Sequence, residues 1–168
     1  MADMLVRLYD IIEVAPLLKG LGDKKILIRR ARACEKHLIV QWVGDLFSDG
    51  WASECEVAFS HHPVSCFIAT EAGGILGFAC YDSACKNFFG PTGVTKEKRC
   101  HGIGKALLLS CLHSMAANGY AYAIIGGTGP ADYYAKAIGA TKIEGSTPGI
   151  YGDKLTKKTA KKLDAGED

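Results

Sequence analysis

One stretch, Gly93 to Leu112, constrains this chain more than any other: GVTKEKRCHGIGKALLLSCL. An apolar segment ends near Val94, a basic turn follows, and a Leu-rich helical run begins at Gly102. A glycine pair placed where a loop becomes a helix lets a ligand come close to the backbone. The first N–H groups of such a helix lack intrahelical partners and sit at the positive end of its dipole, so they form a site for anions, typically phosphate. Lys96, Lys98, Arg99 and Lys105 surround the turn, His101 can add charge, and only Glu97 opposes them. The stretch reads as a diphosphate grip on a strand–turn–helix frame. A dinucleotide-binding fingerprint does not fit it, because Leu107 stands where the third glycine belongs and no acidic residue follows at the expected distance. A P-loop fails on its glycine spacing and its missing Lys-Ser/Thr ending.

Strands and helices fill the rest of the chain. Ile26, Leu27 and Ile28 mark a strand over Lys25–Ala31. Leu38, Ile39, Trp42, Val43, Leu46 and Phe47 recur at steps of one, three and four, giving one apolar stripe on a helix over Ala33–Phe47. Ser48-Asp49-Gly50 interrupts it, and a second helix over Trp51–Ser60 carries Cys55 and Phe59 on one side with Glu54 and Glu56 elsewhere. His61-His62-Pro63 ends that helix; adjacent histidines point differently and no third ligand is spaced nearby, so cap and turn roles are favoured over a metal. Cys66–Thr70 and Ile75–Tyr81 are apolar strands joined by a hairpin signal, Glu71-Ala72-Gly73-Gly74. In the next strand, Asn87–Val94, Gly90-Pro91 and Gly93 point to a bulge or a close backbone approach. The helix from Gly102 runs to Asn118, where Asn118-Gly119 stops it. Tyr120–Ile125 is a buried strand, a helix opens at Pro130 and ends at Gly139, and Ala140–Glu144 and a short piece at Ile150-Tyr151 are further strands.

At 168 residues, 48% hydrophobic and 23% charged, the composition is that of one ordinary globular domain. A net charge of +2 argues against nucleic-acid binding as the main activity. The cysteines number 7, an odd count with no C-x-x-C pair, which fits neither a disulfide framework nor a zinc site. The start, MADMLVRLYD, lacks the layout of a signal peptide, and no uncharged apolar run is long enough for a bilayer, so no membrane role and a cytoplasmic location are the expectation. Residues 1–24 read as an N-terminal extension packed on the domain, a lid over a sheet edge. Residues 25–152 form the main domain, and 153–168, with five lysines, read as a flexible tail.

Two motifs carry a family resemblance. Arg99-x-x-Gly102-x-Gly104 matches the R/Q-x-x-G-x-G/A signature of the GNAT superfamily of N-acetyltransferases, whose turn binds the pyrophosphate of acetyl-coenzyme A. Asp132-Tyr133-Tyr134-Ala135-Lys136-Ala137-Ile138-Gly139-Ala140 resembles that family's second motif, an aromatic–Tyr pair followed by a charged residue and then Gly-aromatic. The resemblance covers Ile26 to Ile150. It implies a mixed α/β (α+β) domain, with a central, mostly antiparallel sheet of six or seven strands and helices on both faces. Acetyl-CoA as co-substrate would lie in a V-shaped opening between the strands Asn87–Val94 and Tyr120–Ile125. Val94, Thr95, Arg99, Cys100, His101, Gly102, Ile103, Gly104 and Lys105 become the cofactor-binding set, with a backbone N–H near Val94 or Thr95 polarising the thioester carbonyl. Two positions depart from the pattern: Gly127 replaces an Asn that contacts pantetheine, and Ala140 replaces the aromatic after the glycine.

The reaction implied is direct transfer of acetyl to a primary amine, on a small molecule or a peptide, with no metal. Tyr134 matches the tyrosine that serves as general acid toward the departing thiolate, and Tyr133 is expected in the core. The first two helices wall the acceptor pocket, which makes Phe47, Trp51, Glu54 and Glu56 candidate contacts. Glu54, Glu56 and Asp82 are candidate general bases, with Glu54 preferred; a covalent cysteine mechanism through Cys100 lacks a base partner. A non-catalytic acyl-CoA-binding module is the competing reading, and a protein gripping another nucleotide diphosphate a third. A homodimer is common in the family, but nothing in this chain establishes one.

Overall fold

A computed structural model describes residues 1–155. Seven strands build one sheet: β1 (Met4–Arg7), β2 (Leu27–Arg30), β3 (Cys66–Glu71), β4 (Gly74–Tyr81), β5 (Phe88–Val94), β6 (Tyr122–Ile125) and β7 (Thr141–Lys142). Their order is β2-β3-β4-β5-β6-β1-β7. Every pairing is antiparallel except β5 with β6. Among the described residues five α-helices cover the faces: α1 (Ala15–Gly22), α2 (Lys36–Leu46), α3 (Asp49–Ala58), α4 (Ile103–Ala117) and α5 (Ala131–Ile138). This is the mixed, mostly antiparallel architecture expected from the sequence.

Strand alternation divides the core into two layers. Cys66 and Ile68 of β3 and Phe78 and Cys80 of β4 face α2 and α3, where Ile39, Val43, Cys55 and Ala58 meet them. Ala69, Ala79 and Tyr81 face the opposite layer, which α1 and α4 fill with Leu21, Ile103, Leu107, Leu108 and Met115. Leu107 through Leu112 are all buried, as befits a helix enclosed on every side. No helix among the described residues is long and apolar enough to cross a membrane.

Several expectations are corrected. The N-terminal segment is no lid over an edge: β1 lies inside the sheet, pairing Met4 with Ile125 on one side and with Lys142 on the other. Ile150-Tyr151 is not a strand, because Pro148-Gly149 leads into a 3-10 turn over Gly149–Tyr151. The strand drawn over Ala140–Glu144 shrinks to β7. α3 begins two residues before Trp51, since Ser48 caps it by accepting the Trp51 amide at 3.2 Å. The segment 156–168, most of the expected flexible tail, lies outside the described residues.

Candidate functional site

The opening starts with an irregular strand. Ala79 pairs with Thr92 and Tyr81 with Phe89, so Gly90 and Pro91 of β5 stand opposite the single residue Cys80. That extra residue is a bulge. β5 touches β6 only at Phe88↔Ile124 and Phe89↔Ile125, after which the strands part. Gly93 permits a close approach there: a Cβ on it would sit 2.5 Å from the Phe47 ring. Phe47 in turn stacks on Trp51 with centroids 5.4 Å apart, so one wall of the opening is aromatic.

Two cavities meet in this gap. The smaller, about 350 Å³, runs from Gly93 and Val94 to Arg99, Gly104 and Leu108 at the start of α4. The larger, about 640 Å³, lies between Trp51 and Glu54 of α3, the bulge of β5, and the Gly126–Pro130 turn. Trp51, Phe89, Thr92, Pro130 and Tyr134 border both.

The basic turn delivers open helix amides to the smaller cavity. Cys100 and Gly102 both adopt left-handed backbone angles, φ 64° and 85°, which reverses the chain into α4. Gly102 is the residue before the first helical turn, and no side chain caps that turn. Arg99 reaches back to donate from Nε to the Val94 carbonyl at 3.3 Å. His101 places Nδ1 2.7 Å from the Arg99 carbonyl. The Ile103 side chain is buried in the core, so only its backbone is available to a ligand. Lys98 turns away to pair with Glu71 at 2.7 Å, leaving the turn less basic than the sequence indicates.

Register separates Val94 from Thr95. Thr95 donates its N–H to Leu76 O at 2.9 Å, inside the β4–β5 ladder, so its amide is already used. Both polar backbone groups of a strand residue face the same neighbour, and successive residues alternate. Val94, whose carbonyl Arg99 contacts, therefore turns its N–H toward the gap where β6 has diverged.

Of the tyrosine pair, Tyr134 is the inner member, 8% exposed, and Tyr133 is 40% exposed, contrary to the core role expected for it. Their rings meet edge to face at 5.1 Å. Burial, reinforced by Tyr133, pushes the Tyr134 phenol up to about 12. Ala140 is buried and donates its N–H to Tyr134 O at 3.4 Å, filling with a methyl the place an aromatic was expected to take.

The three candidate bases separate cleanly. Glu54 borders the larger cavity, and burial raises its carboxyl above the ordinary range while Lys154 partly offsets this. Glu56 is exposed and paired with Lys36 at 2.8 Å. Asp82 holds a turn, accepting the Asn87 amide at 2.7 Å and the Tyr120 hydroxyl at 3.2 Å. Neither borders either of these two cavities. His61 sits with Nδ1 2.8 Å from Ser65 Oγ, a turn contact. Sequence reasoning missed Tyr151, whose hydroxyl lies within 2.9 Å of where a Gly126 Cβ would stand, and Asp3, which accepts the Gly127 amide at 2.8 Å.

No family model and no curated protein matches the chain. Solved structures do match in shape. A GCN5-related glucosamine N-acetyltransferase region of a fungal multi-domain β-N-acetylglucosaminidase superposes with a TM-score of 0.68 at 14% identity, covering 84% of this chain and 19% of that one. A GCN5-related N-acetyltransferase from Sphaerobacter thermophilus gives 0.57 at 17%, covering 84% and 48%. A Mycobacterium tuberculosis protein in complex with CoA gives 0.50 at 18%, covering 84% and 83%. The chain spans less than half the length of the first two. The fold is that of the GCN5-related N-acetyltransferases.

Proposed function

We propose that this chain, built on the GCN5-related N-acetyltransferase fold, moves an acetyl group from acetyl-CoA to a primary amine. One observation carries the reading: the uncapped start of α4 borders the smaller of two adjoining cavities, and the inner tyrosine of α5 borders both. An anion at the α4 amides and an acceptor in the larger cavity would meet beside Tyr134.

Residues take roles in sequence. The amides from Ile103 onward, with Arg99, hold the diphosphate. The Val94 N–H faces the oxygen of the thioester carbonyl, on which charge grows during attack, so the donor favours the transition state over the ground state. An alkyl ammonium must first lose a proton, at a cost of about 4–5 kcal/mol at neutral pH. Glu54, raised by burial, is a better proton acceptor than a solvated glutamate and takes that proton directly or through a water. The amine attacks, the C–S bond breaks, and Tyr134 gives its proton to the departing thiolate, while the proton that the attacking nitrogen sheds as the amide forms returns to the phenolate directly or through a water. The elevated pKa of Tyr134 keeps the phenol protonated before that step. Two bound reactants held in this gap gain much of the acceleration from proximity alone.

Release of free thiol from acetyl-CoA, followed across a panel of small amines and a lysine peptide, tests the proposal. Amine-dependent release that disappears in Tyr134→Phe supports it. Tight binding of acetyl-CoA with no turnover on any amine contradicts it and favours the non-catalytic module.

A further inference from the structure

Three thiols from three separate elements meet in the layer beneath α2 and α3. Cys55 comes from α3, Cys66 from β3 and Cys80 from β4, and their sulfurs all lie within 4.8 Å of one another. Each residue is 0% exposed. Cys66 and Cys80 are direct partners across the β3–β4 ladder. The adjacent pair is hydrogen-bonded, Tyr81 N–H to Ser65 O at 3.0 Å, so Cys66 and Cys80 occupy the non-bonded step where facing side chains come nearest. Among the described residues no histidine, carboxylate or fourth thiol joins the group.

A lone buried cysteine behaves as a small hydrophobe. Three sulfurs converging from a helix and two strands also form a three-coordinate donor set, and charge decides what it accepts. Three thiolates leave two negative charges around a monovalent ion and one around a divalent ion. The surrounding layer of Ile39, Val43, Ile68 and Phe78 is apolar, and burial there penalises net charge heavily. Zinc in addition wants a fourth ligand. A trivalent centre leaves the site neutral.

We propose that Cys55, Cys66 and Cys80 form a binding site for trivalent thiophilic species of the arsenous acid class. Arsenous acid exchanges its three As–O bonds for three As–S bonds. Each thiol proton leaves with a hydroxide as water, and arsenic keeps its oxidation state. The exchange consumes three thiols and releases three waters, so it leaves no net charge in the apolar layer. Entry requires α3 to part briefly from the sheet, so loading is slow and release slower.

The test uses the full chain, reduced and freed of excess reductant, then incubated with arsenite. Intact mass and arsenic-edge X-ray absorption are the readouts. The expected result is one arsenic per chain with the loss of three protons, in a shell of three sulfurs without oxygen. Cys55→Ala and Cys66→Ala should each weaken binding on the order of 100-fold, because each removes one arm of a chelate. Cys111→Ala, buried in the opposite layer, should bind as the parent does. Should the cysteine variants fail to fold, the parent spectrum still decides. A shell that includes oxygen, arsenic carried by the exposed Cys34, Cys85 or Cys100, or no uptake even in mild urea overturns the proposal.

Discussion

The carboxylate of Asp3 accepts the amide of Gly127 at 2.8 Å, joining the residue before β1 to the turn between β6 and α5. Further bonds converge on the same short segment. Asp3 N–H donates to Ser146 Oγ at 2.8 Å, Ile143 N–H to Asp3 O at 2.9 Å, and Thr128 N–H to Ala2 O at 3.2 Å. The first residues thus brace the turn that carries Pro130 and leads into Tyr134, and Met1 borders the larger cavity.

Asp3→Ala should therefore damage stability and turnover together. Leaving a half-buried amide unpaired costs at most about 1–3 kcal/mol, the figure for a fully buried one, and urea denaturation would register the loss. The fall in kcat should exceed the rise in the acetyl-CoA KM, because the brace acts on the Tyr134 side of the gap. Asp3→Asn keeps an acceptor oxygen and should recover part of both losses.

Tyr134→Phe removes the proton donor and leaves the packing. With the phenol at about 12, the parent should show no alkaline decline from this group across the ordinary assay range. The variant should lose roughly 100-fold or more in kcat, the usual size of a general-acid contribution, with acetyl-CoA binding little changed by calorimetry.

Glu54→Gln should lower kcat/KM most at neutral pH. Its carboxyl is raised by burial, and the base form exists only above that pKa, so the parent's activity should climb as pH rises through it. The deficit of the variant should then shrink as pH approaches about 10.4, where an alkyl amine sheds its own proton. A pH–rate comparison of the two proteins reads both trends.

Gly93→Ala should cost roughly 1–3 kcal/mol, the range for overpacking, since the new methyl would stand 2.5 Å from the Phe47 ring. Trimming that ring in a Gly93→Ala/Phe47→Ala double variant should cost less than the sum of the singles. A double-mutant cycle by denaturation measures the coupling.

What the sequence disclosed was mostly local along the chain. The Gly93–Leu112 frame, the Gly90-Pro91 bulge and the apolar stripe of α2 each lie within one segment, where periodicity and turn chemistry speak directly. β1 was invisible because MLVR is too short for a pattern, and its partners lie far along the chain. Tyr133 and Tyr134 differ by one helical step, and which of them faces inward depends on how α5 is docked. The choice between Val94 and Thr95 turns on ladder register, again a tertiary matter. Cys55, Cys66 and Cys80 lack metal-ligand spacing and meet only after α3 folds over the sheet. At Ile150-Tyr151, strand propensity yielded to the preceding Pro148-Gly149 turn.

Calorimetric titration with acetyl-CoA, run on the parent and on Gly104→Asp, tests the central claim most directly. The fold admits that side chain, since a Cβ at Gly104 would sit 3.7 Å from a Val94 methyl. A carboxylate in the first turn also suits the helix dipole, so stability should hold. Saturable binding of one acetyl-CoA per chain, weakened on the order of 10-fold or more by the new charge beside the diphosphate, is the predicted result. Absence of binding to the parent, or binding indifferent to Gly104→Asp, would contradict the account.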